Sequence, residues 1–241
     1  MQMLVSVRSV AEARVAAAGG ADFIDLKEPR DGALGGLPVA TIAAVVRALR
    51  ESASGSPRLP ISATIGDLPM SSPAAILAQV EAVAACGVDY VKVGIERAAS
   101  ARDVLDALAA TGHAIVPVFI GDRGLEAAHV RHACTLEFPA VMVDTADKLA
   151  GSLFDVLSDA ELRRFVATVR ASGALVGLAG ALRRPQLPAL RALMPDFAGF
   201  RSAVCAGDRS GELDPQRLRA LAAELHAAAG ADAAEAIQPL R

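Results

Sequence analysis

The sequence has little lysine, little cysteine, no surplus of positive charge and no long apolar run, and each shortage excludes a class of protein. Basic residues number 24 and acidic residues 27, for a net charge of −3 at neutral pH. No basic excess exists to neutralise phosphates, so nucleic acid is not expected as a main partner. Hydrophobic residues make up 53% of the 241 positions and charged residues 21%, a balance far from that of disordered chains. The three cysteines, Cys86, Cys134 and Cys205, lie far apart and form no Cys-x-x-Cys pair. They make no disulfide framework, and a reducing compartment suits them. No stretch of about 18 apolar residues occurs, the length at which a membrane span is read. The opening Met1–Val10 is short and mixed, and Arg8 and Glu12 interrupt it, unlike a secretory leader. A cytoplasmic protein with no membrane partner is expected.

Several motifs are missing too. No Gly-x-Gly-x-x-Gly follows the first apolar run, and no glycine-rich stretch leads to Gly-Lys-Ser/Thr. His129 and His132 stand beside Cys134, but no His-Glu-x-x-His pattern accompanies them. A solvated helix face is the expected setting for that pair, and no metal is expected. His113 and His226 read as structural. Spacing alone places no Ser-His-Asp set.

The lysine shortage is the most informative. Of the 24 basic residues three are lysine, Lys27, Lys92 and Lys148, and 21 are arginine. A genome that favours Ala and Arg codons accounts for most of this bias, because a solvated charge tolerates either residue. A lysine whose amine does chemistry resists replacement: arginine cannot lose its proton at usable pH and cannot form a Schiff base.

What is present is a regular alternation. Short, continuous apolar runs recur at Met3–Val7, Phe23–Leu26, Ile61–Ile65, Tyr90–Ile95, Ile115–Ile120, Val141–Val143, Leu175–Leu178 and Gly199–Val204, as expected for strands of a parallel sheet covered on both faces. Helical spacing lies between them, in Ala101, Val104, Leu105 and Leu108, in Leu162, Phe165, Val166 and Val169, and in Leu218, Leu221 and Leu225. Ser9-x-x-Glu12 and Ser158-x-x-Glu161 read as capping boxes. Ser72-Pro73 and Asp214-Pro215 read as helix starts. Eight strands alternating with helices predict a single (β/α)8 barrel over residues 1–241, with a doubly wound open sheet as the alternative. The Ala-rich, weakly patterned segment 227–241 is expected to fray.

In such a barrel the carboxyl ends of the strands carry the site. All three lysines map at or just beyond such ends. Lys27 alternates with Asp25, so both face the same side of the strand. Lys92 lies inside an apolar strand, where an unpaired ammonium is costly, so it requires a carboxylate partner or a lowered proton affinity. A buried ion pair with Asp25 or Asp144 that merely fills the barrel is the bland alternative. Gly177–Ala181 and Arg201–Gly207 follow the seventh and eighth strands, the usual place for a phosphate held by backbone N–H groups. The loop Asp31–Gly36 reads either as a lid over Lys27 or as a plain glycine-rich connection.

Five separated segments together resemble one family. They are Asp25-Leu-Lys27-Glu-Pro29-Arg-Asp-Gly32-Ala-Leu34-Gly35, Ile61-Ser-Ala-Thr64-Ile-Gly66-Asp67, Asp89-Tyr-Val-Lys92-Val-Gly94, Met142-Val-Asp144-Thr145-Ala, and Gly199-Phe-Arg201 through Cys205 to Gly207-Asp208-Arg209. The family is (5-formylfuran-3-yl)methyl phosphate synthase, also called 4-(hydroxymethyl)-2-furancarboxaldehyde-phosphate synthase, and the resemblance runs along essentially the whole chain. It implies a (β/α)8 lyase of methanofuran-type cofactor biosynthesis, found in methanogens and methylotrophic bacteria, that condenses two molecules of glyceraldehyde 3-phosphate. The Ala-rich composition suggests a bacterial member. By resemblance Lys27 is the Schiff-base lysine and Lys92 the proton-transferring lysine, with Asp25, Asp144 and Lys148 in matching active-site segments. Gly180, Arg201 and Ser202 are expected to hold phosphate. The imine would supply the electron sink, so no metal or organic cofactor is expected. A triose phosphate is the expected partner, with room for a homo-oligomer.

Two rivals accompany this reading. One is another sugar-phosphate barrel, such as a class I aldolase or a decarboxylase of the orotidine-phosphate type. The Asp-x-Lys-x-x-Asp pattern of the latter is broken here by Arg30. The other is a non-catalytic barrel that binds a phosphorylated metabolite.

Overall fold

The computed structural model describes residues 1–31, 34–52, 58–147 and 151–235. Strands β1 (Gln2–Val7), β2 (Phe23–Leu26), β3 (Ile61–Thr64), β4 (Tyr90–Ile95), β5 (Ile115–Ile120), β6 (Ala140–Asp144), β7 (Leu175–Leu178) and β8 (Phe197–Phe200) pair in parallel in that order. Strand β8 then closes on β1, with Gln2 against Phe197 and Val5 against Phe200. The closure leaves no sheet edge, which separates this barrel from the doubly wound alternative. Helices α1 (Val10–Ala18), α2 (Val39–Ser52), α3 (Pro73–Ala84), α4 (Ala101–Ala109), α5 (Ala127–Ala133), α6 (Leu153–Val156), α7 (Asp159–Ala171), α8 (Leu187–Leu193) and α9 (Pro215–Glu235) lie in the connections and after β8.

The helices form where the apolar spacing predicts. Helix α4 buries Ala101, Val104, Leu105 and Leu108, α7 buries Leu162, Phe165, Val166 and Val169, and α9 buries Leu218, Leu221 and Leu225. Each such Val, Leu or Phe side chain stabilises the fold by roughly 1.5–3 kcal/mol when fully buried. The Ser158–Glu161 capping box is complete. At α1 only half of the box forms. Ser9 accepts from Glu12 N, whereas the Glu12 carboxylate accepts from Arg8 N instead of Ser9 N, because a second partner described below draws it away. Ser72 makes no side-chain cap, and Pro73 fixes the first turn of α3. Asp214 accepts from Gln216 N and Arg217 N at the start of α9.

The last strand differs from the sequence expectation. It begins at Phe197 and stops at Phe200, and the chain turns at Arg201, where Val204 N donates to Arg201 O. The apolar residues Ala203 and Val204 belong to that turn, with Val204 O accepting from Asp214 N. The Ala-rich stretch from Ala227 continues α9 through Glu235, and 236–241 lie outside the described residues. Among the described residues no helix is long and apolar enough to cross a membrane.

Alternation along the strands sorts the barrel interior into layers. The floor is apolar, with Leu4, Phe23, Tyr90, Val116, Met142 and Phe197 around a space of about 340 Å³. The rings of Phe23 and Phe197 meet there at 5.4 Å between centroids. Above this floor Ser6 stands level with Asp25, and Asp25 level with Ser62. Thr64 pairs with Lys92 and Ile120 with Asp144. Lys92 borders this lower space as well as the polar layer above it.

Candidate active site

Lys27 is the first residue past β2, and its N–H still continues the ladder by donating to Val7 O at 3.0 Å. That bond keeps the side chain in the inward phase it shares with Asp25. The Lys27 amine is buried and donates to Asp144 Oδ2 at 3.2 Å. Asp144 closes β6, and its Oδ1 accepts from the next backbone N–H, Thr145, at 2.8 Å. The carboxylate is thereby aimed before the lysine arrives.

Lys92 lies in the middle of β4, deeper than the strand-end position expected for it. It is 3% exposed and donates to Asp25 Oδ1 at 3.0 Å. Asp25 also accepts from the Ser62 hydroxyl at 2.7 Å and the Ser6 hydroxyl at 3.1 Å. A buried ammonium requires such a counter-charge, and the carboxylate in turn has its remaining oxygen satisfied.

The two pairs border open space. Lys27, Lys92, Asp25 and Asp144 all line one open cavity, together with Ser6, Gly180, Arg201, Ser202 and Arg209. The side chain of Leu34 enters the barrel mouth next to Gly94, where an added Cβ would come within 2.8 Å of Leu34 Cδ1. Asp67 holds Leu34 N, and Thr64 and Glu28 N both donate to Gly35 O. The described part of the loop after β2 is therefore docked on the barrel; Gly32 and Ala33 lie outside the described residues.

The phosphate-binding expectation divides. Gly180 and Ser202 line the cavity. Gly180 takes φ +125° and lies against Thr145, where a Cβ would come within 2.9 Å of Thr145 Cγ2, so the close approach requires glycine. Among the described residues nothing accepts from the backbone N–H groups of Gly180, Ala181, Leu182 or Ser202. They form a set of free donors suited to an anion.

Arg201 lines the cavity too, but its side chain is engaged by protein groups. Its guanidinium donates to Glu12 through both terminal nitrogens, at 2.6 and 3.0 Å, and to the carbonyls of Ser6, Arg209 and Gly211. A guanidinium has five N–H donors, and all five are occupied, so no donor is left for a phosphate. Glu12 leaves its capping box to make this pair.

Lys148, the remaining site residue expected from the sequence, lies outside the described residues. The segment leading to it is anchored by Asp122, whose two oxygens accept from Ala146 N and Asp147 N at 2.7 Å each. Asp122, Ser6, Ser62, Glu12 and Arg209 were not read as site residues from the sequence. Ser6 and Ser62 carried a usable signal, since each is a polar residue in an apolar strand. Glu12 read only as part of a capping box, and Arg209 only as the end of a family-like segment.

The remaining chemistry-bearing groups stand apart. His132 is half-buried and pairs with Asp106 of α4 at 2.6 Å, and His129 lies near Glu126. These histidines line a helix contact, which corrects the solvated face expected for them. Among the described residues no cluster of metal-ligating side chains occurs. Burial pushes the thiols of Cys86, Cys134 and Cys205 up, which keeps them in the unreactive protonated form.

Comparison with known proteins follows this geometry. A family model described as 4-HFC-P synthase matches residues 3–222. A (5-formylfuran-3-yl)methyl phosphate synthase of Archaeoglobus fulgidus is 35% identical, covering 94% of this chain and 100% of the relative. A protein of the same name from Methanosarcina mazei is 32% identical, covering 94% and 100%. Among solved structures, phosphoribosyl anthranilate isomerase from Thermus thermophilus superposes with a TM-score of 0.65 at 18% identity, covering 94% of this chain and 99% of the other. A 3-hexulose-6-phosphate synthase gives 0.56 at 18%, covering 91% and 99%. At that identity the two structures speak for the barrel alone.

Proposed function

The chain belongs to the (5-formylfuran-3-yl)methyl phosphate synthase family, and from that premise we propose that it condenses two molecules of glyceraldehyde 3-phosphate through a Schiff base on Lys27. The product is 4-(hydroxymethyl)-2-furancarboxaldehyde phosphate, the furan unit of a methanofuran-type cofactor. One observation carries the reading: two lysine amines, each against its own buried aspartate, open into a single cavity.

Asp144 accepts the proton that frees the Lys27 lone pair, and the amine adds to the aldehyde carbon. Loss of water from the carbinolamine gives an iminium, which draws electrons from the neighbouring carbon and acidifies its hydrogen. Lys92, tethered to Asp25, takes that proton and later returns protons to departing oxygens. The resulting enamine carbon forms the new carbon–carbon bond with the second aldehyde. One phosphate departs, a hydroxyl closes the ring, two waters are lost overall and hydrolysis of the imine releases Lys27. All six carbons are retained, one phosphate stays as the ester and the other leaves as inorganic phosphate. No oxidant or reductant enters. The free N–H groups of Gly180, Ala181, Leu182 and Ser202 would receive a phosphate during these steps.

The test is borohydride reduction in the presence of glyceraldehyde 3-phosphate, followed by peptide mass mapping. The expected result is an adduct on Lys27 and, without borohydride, a furan chromophore. Lys27→Arg keeps its fold and loses activity on the order of a thousandfold or more, since arginine forms no imine. Appreciable turnover by that variant would reject the covalent scheme, and cleavage chemistry dependent on dihydroxyacetone phosphate would point to an aldolase instead.

A further inference from the structure

Two guanidinium groups border the cavity, and they are in opposite states. Every donor of Arg201 is occupied by Glu12 or a backbone carbonyl. Arg209 lines the same cavity, and among the described residues its guanidinium has no hydrogen-bond or ion-pair partner. We propose that Arg209 is the cation that grips the substrate phosphate, and that Arg201 is a positioning residue holding the loop that carries it. The inference deepens the triose-phosphate reading and rests on it for the identity of the substrate.

The loop is built to present one side chain. Cys205 and Leu213 form an antiparallel bridge at its neck, and Ala206 N donates to Glu212 O. Arg201 reaches across from the end of β8 and fixes the carbonyls of Arg209 at 2.9 Å and Gly211 at 2.6 Å. Asp208 accepts from Ser210 N and the Ser210 hydroxyl, at 2.7 and 2.6 Å. The backbone on both sides of Arg209 is thus tied down while its side chain is left without a partner. A half-buried guanidinium in that state keeps its donors open to the cavity rather than bound to protein.

Charge points the same way. In the cavity Asp25 offsets Lys92 and Asp144 contacts Lys27, while Glu12 offsets Arg201. Arg209 adds a positive charge that no described side chain neutralises by contact. Burial pulls its guanidinium below the usual arginine range, an effect the Asp144 charge opposes, and arginine still remains protonated. A planar fork offering parallel N–H groups suits a phosphate dianion better than a carbonyl or hydroxyl. The neutral N–H groups near Gly180 can orient a phosphate, whereas Arg209 supplies the charge by which a phosphorylated aldehyde is told from an unphosphorylated one.

The experiment is calorimetric titration of inorganic phosphate into the wild-type protein, Arg209→Gln and Arg209→Lys, alongside steady-state kinetics with glyceraldehyde 3-phosphate. Arg209→Gln is expected to weaken phosphate binding about ten- to a hundredfold and to raise KM by a similar factor, with an unchanged melting temperature. Arg209→Lys recovers part of the loss, which a purely structural role would not produce. In Arg209→Gln, trapping of glyceraldehyde 3-phosphate on Lys27 falls far more than trapping of unphosphorylated glyceraldehyde. A variant that binds phosphate as tightly as the wild type, or a wild type that binds none, overturns the proposal. Phosphate binding that depends on Arg209 in a protein that makes no furan would support the anion site and reject the reaction.

Discussion

The lysine–aspartate pairs inside the barrel and the Arg201–Glu12 pair at its rim invite comparison. Each sets a buried cation against a buried carboxylate. Arg201 has all five donors occupied by protein. Lys27 and Lys92 each make one hydrogen bond among the described residues, although an ammonium has three donors. The first arrangement is finished and can only hold the backbone in place. The second is incomplete and turns its remaining capacity toward a cavity. Occupied donors, rather than burial or charge, distinguish a structural ion pair from one available for chemistry.

The largest test of that contrast is Lys92→Met. Activity is expected to fall by about a hundred- to ten-thousandfold, the usual worth of a placed proton carrier, measured as furan formed per enzyme. Its thermal stability should fall less than that of the next variant, because the Ser6 and Ser62 hydroxyls still hold Asp25 beside a cavity. Arg201→Met is the counterpart. Removal of the guanidinium leaves Glu12 with Arg8 alone and frees two loop carbonyls, and up to about 3–5 kcal/mol of stability should be lost, read as a lower urea midpoint. If Lys92→Met proves the more damaging to stability, the contrast drawn from donor occupancy is wrong.

A surface network gives the smallest effect. Half-buried Asp89 accepts from Arg50, from Arg58 at 2.8 Å and from Ile61 N at 2.7 Å. Burial raises its proton affinity, but the Ile61 N–H and the two guanidinium groups outweigh it, so its carboxyl is held below the usual range. A carboxylate lowered in the folded state contributes stability above its unfolded pKa of about 4. That contribution is lost as pH falls through the lowered folded value. Asp89→Asn should therefore cost a modest amount of stability near neutral pH and flatten the decline of the urea midpoint below about pH 4. An equal acid decline in variant and wild type would exclude Asp89 as a contributor.

Much of the barrel was legible in advance because its strands are covered on both faces, which writes them as continuous apolar runs. Runs such as Tyr90–Ile95 and Ile115–Ile120 match the observed strands end to end. Strand β8 was misjudged because an apolar run does not say whether it feeds a ladder or a turn, and Arg201, whose side chain fixes the turn, looks polar in either case. Asp25 and Lys27 were legible as neighbours because they alternate on one strand. Their partners were only narrowed: Asp25 and Asp144 both stood open for Lys92, which is 67 residues from Asp25, and Asp144 is 117 from Lys27.

The sequence by itself determined the alternation of strands and helices, the scarcity of lysine and the place of Lys27 at the end of a strand, since periodicity and residue chemistry are local properties. Only the tertiary structure decided that Lys27 meets Asp144, that Lys92 meets Asp25, and that Arg201 is fully engaged while Arg209 is not. Those outcomes depend on barrel closure, which fixes the register between distant strands and so determines which donors find a protein acceptor and which face the cavity.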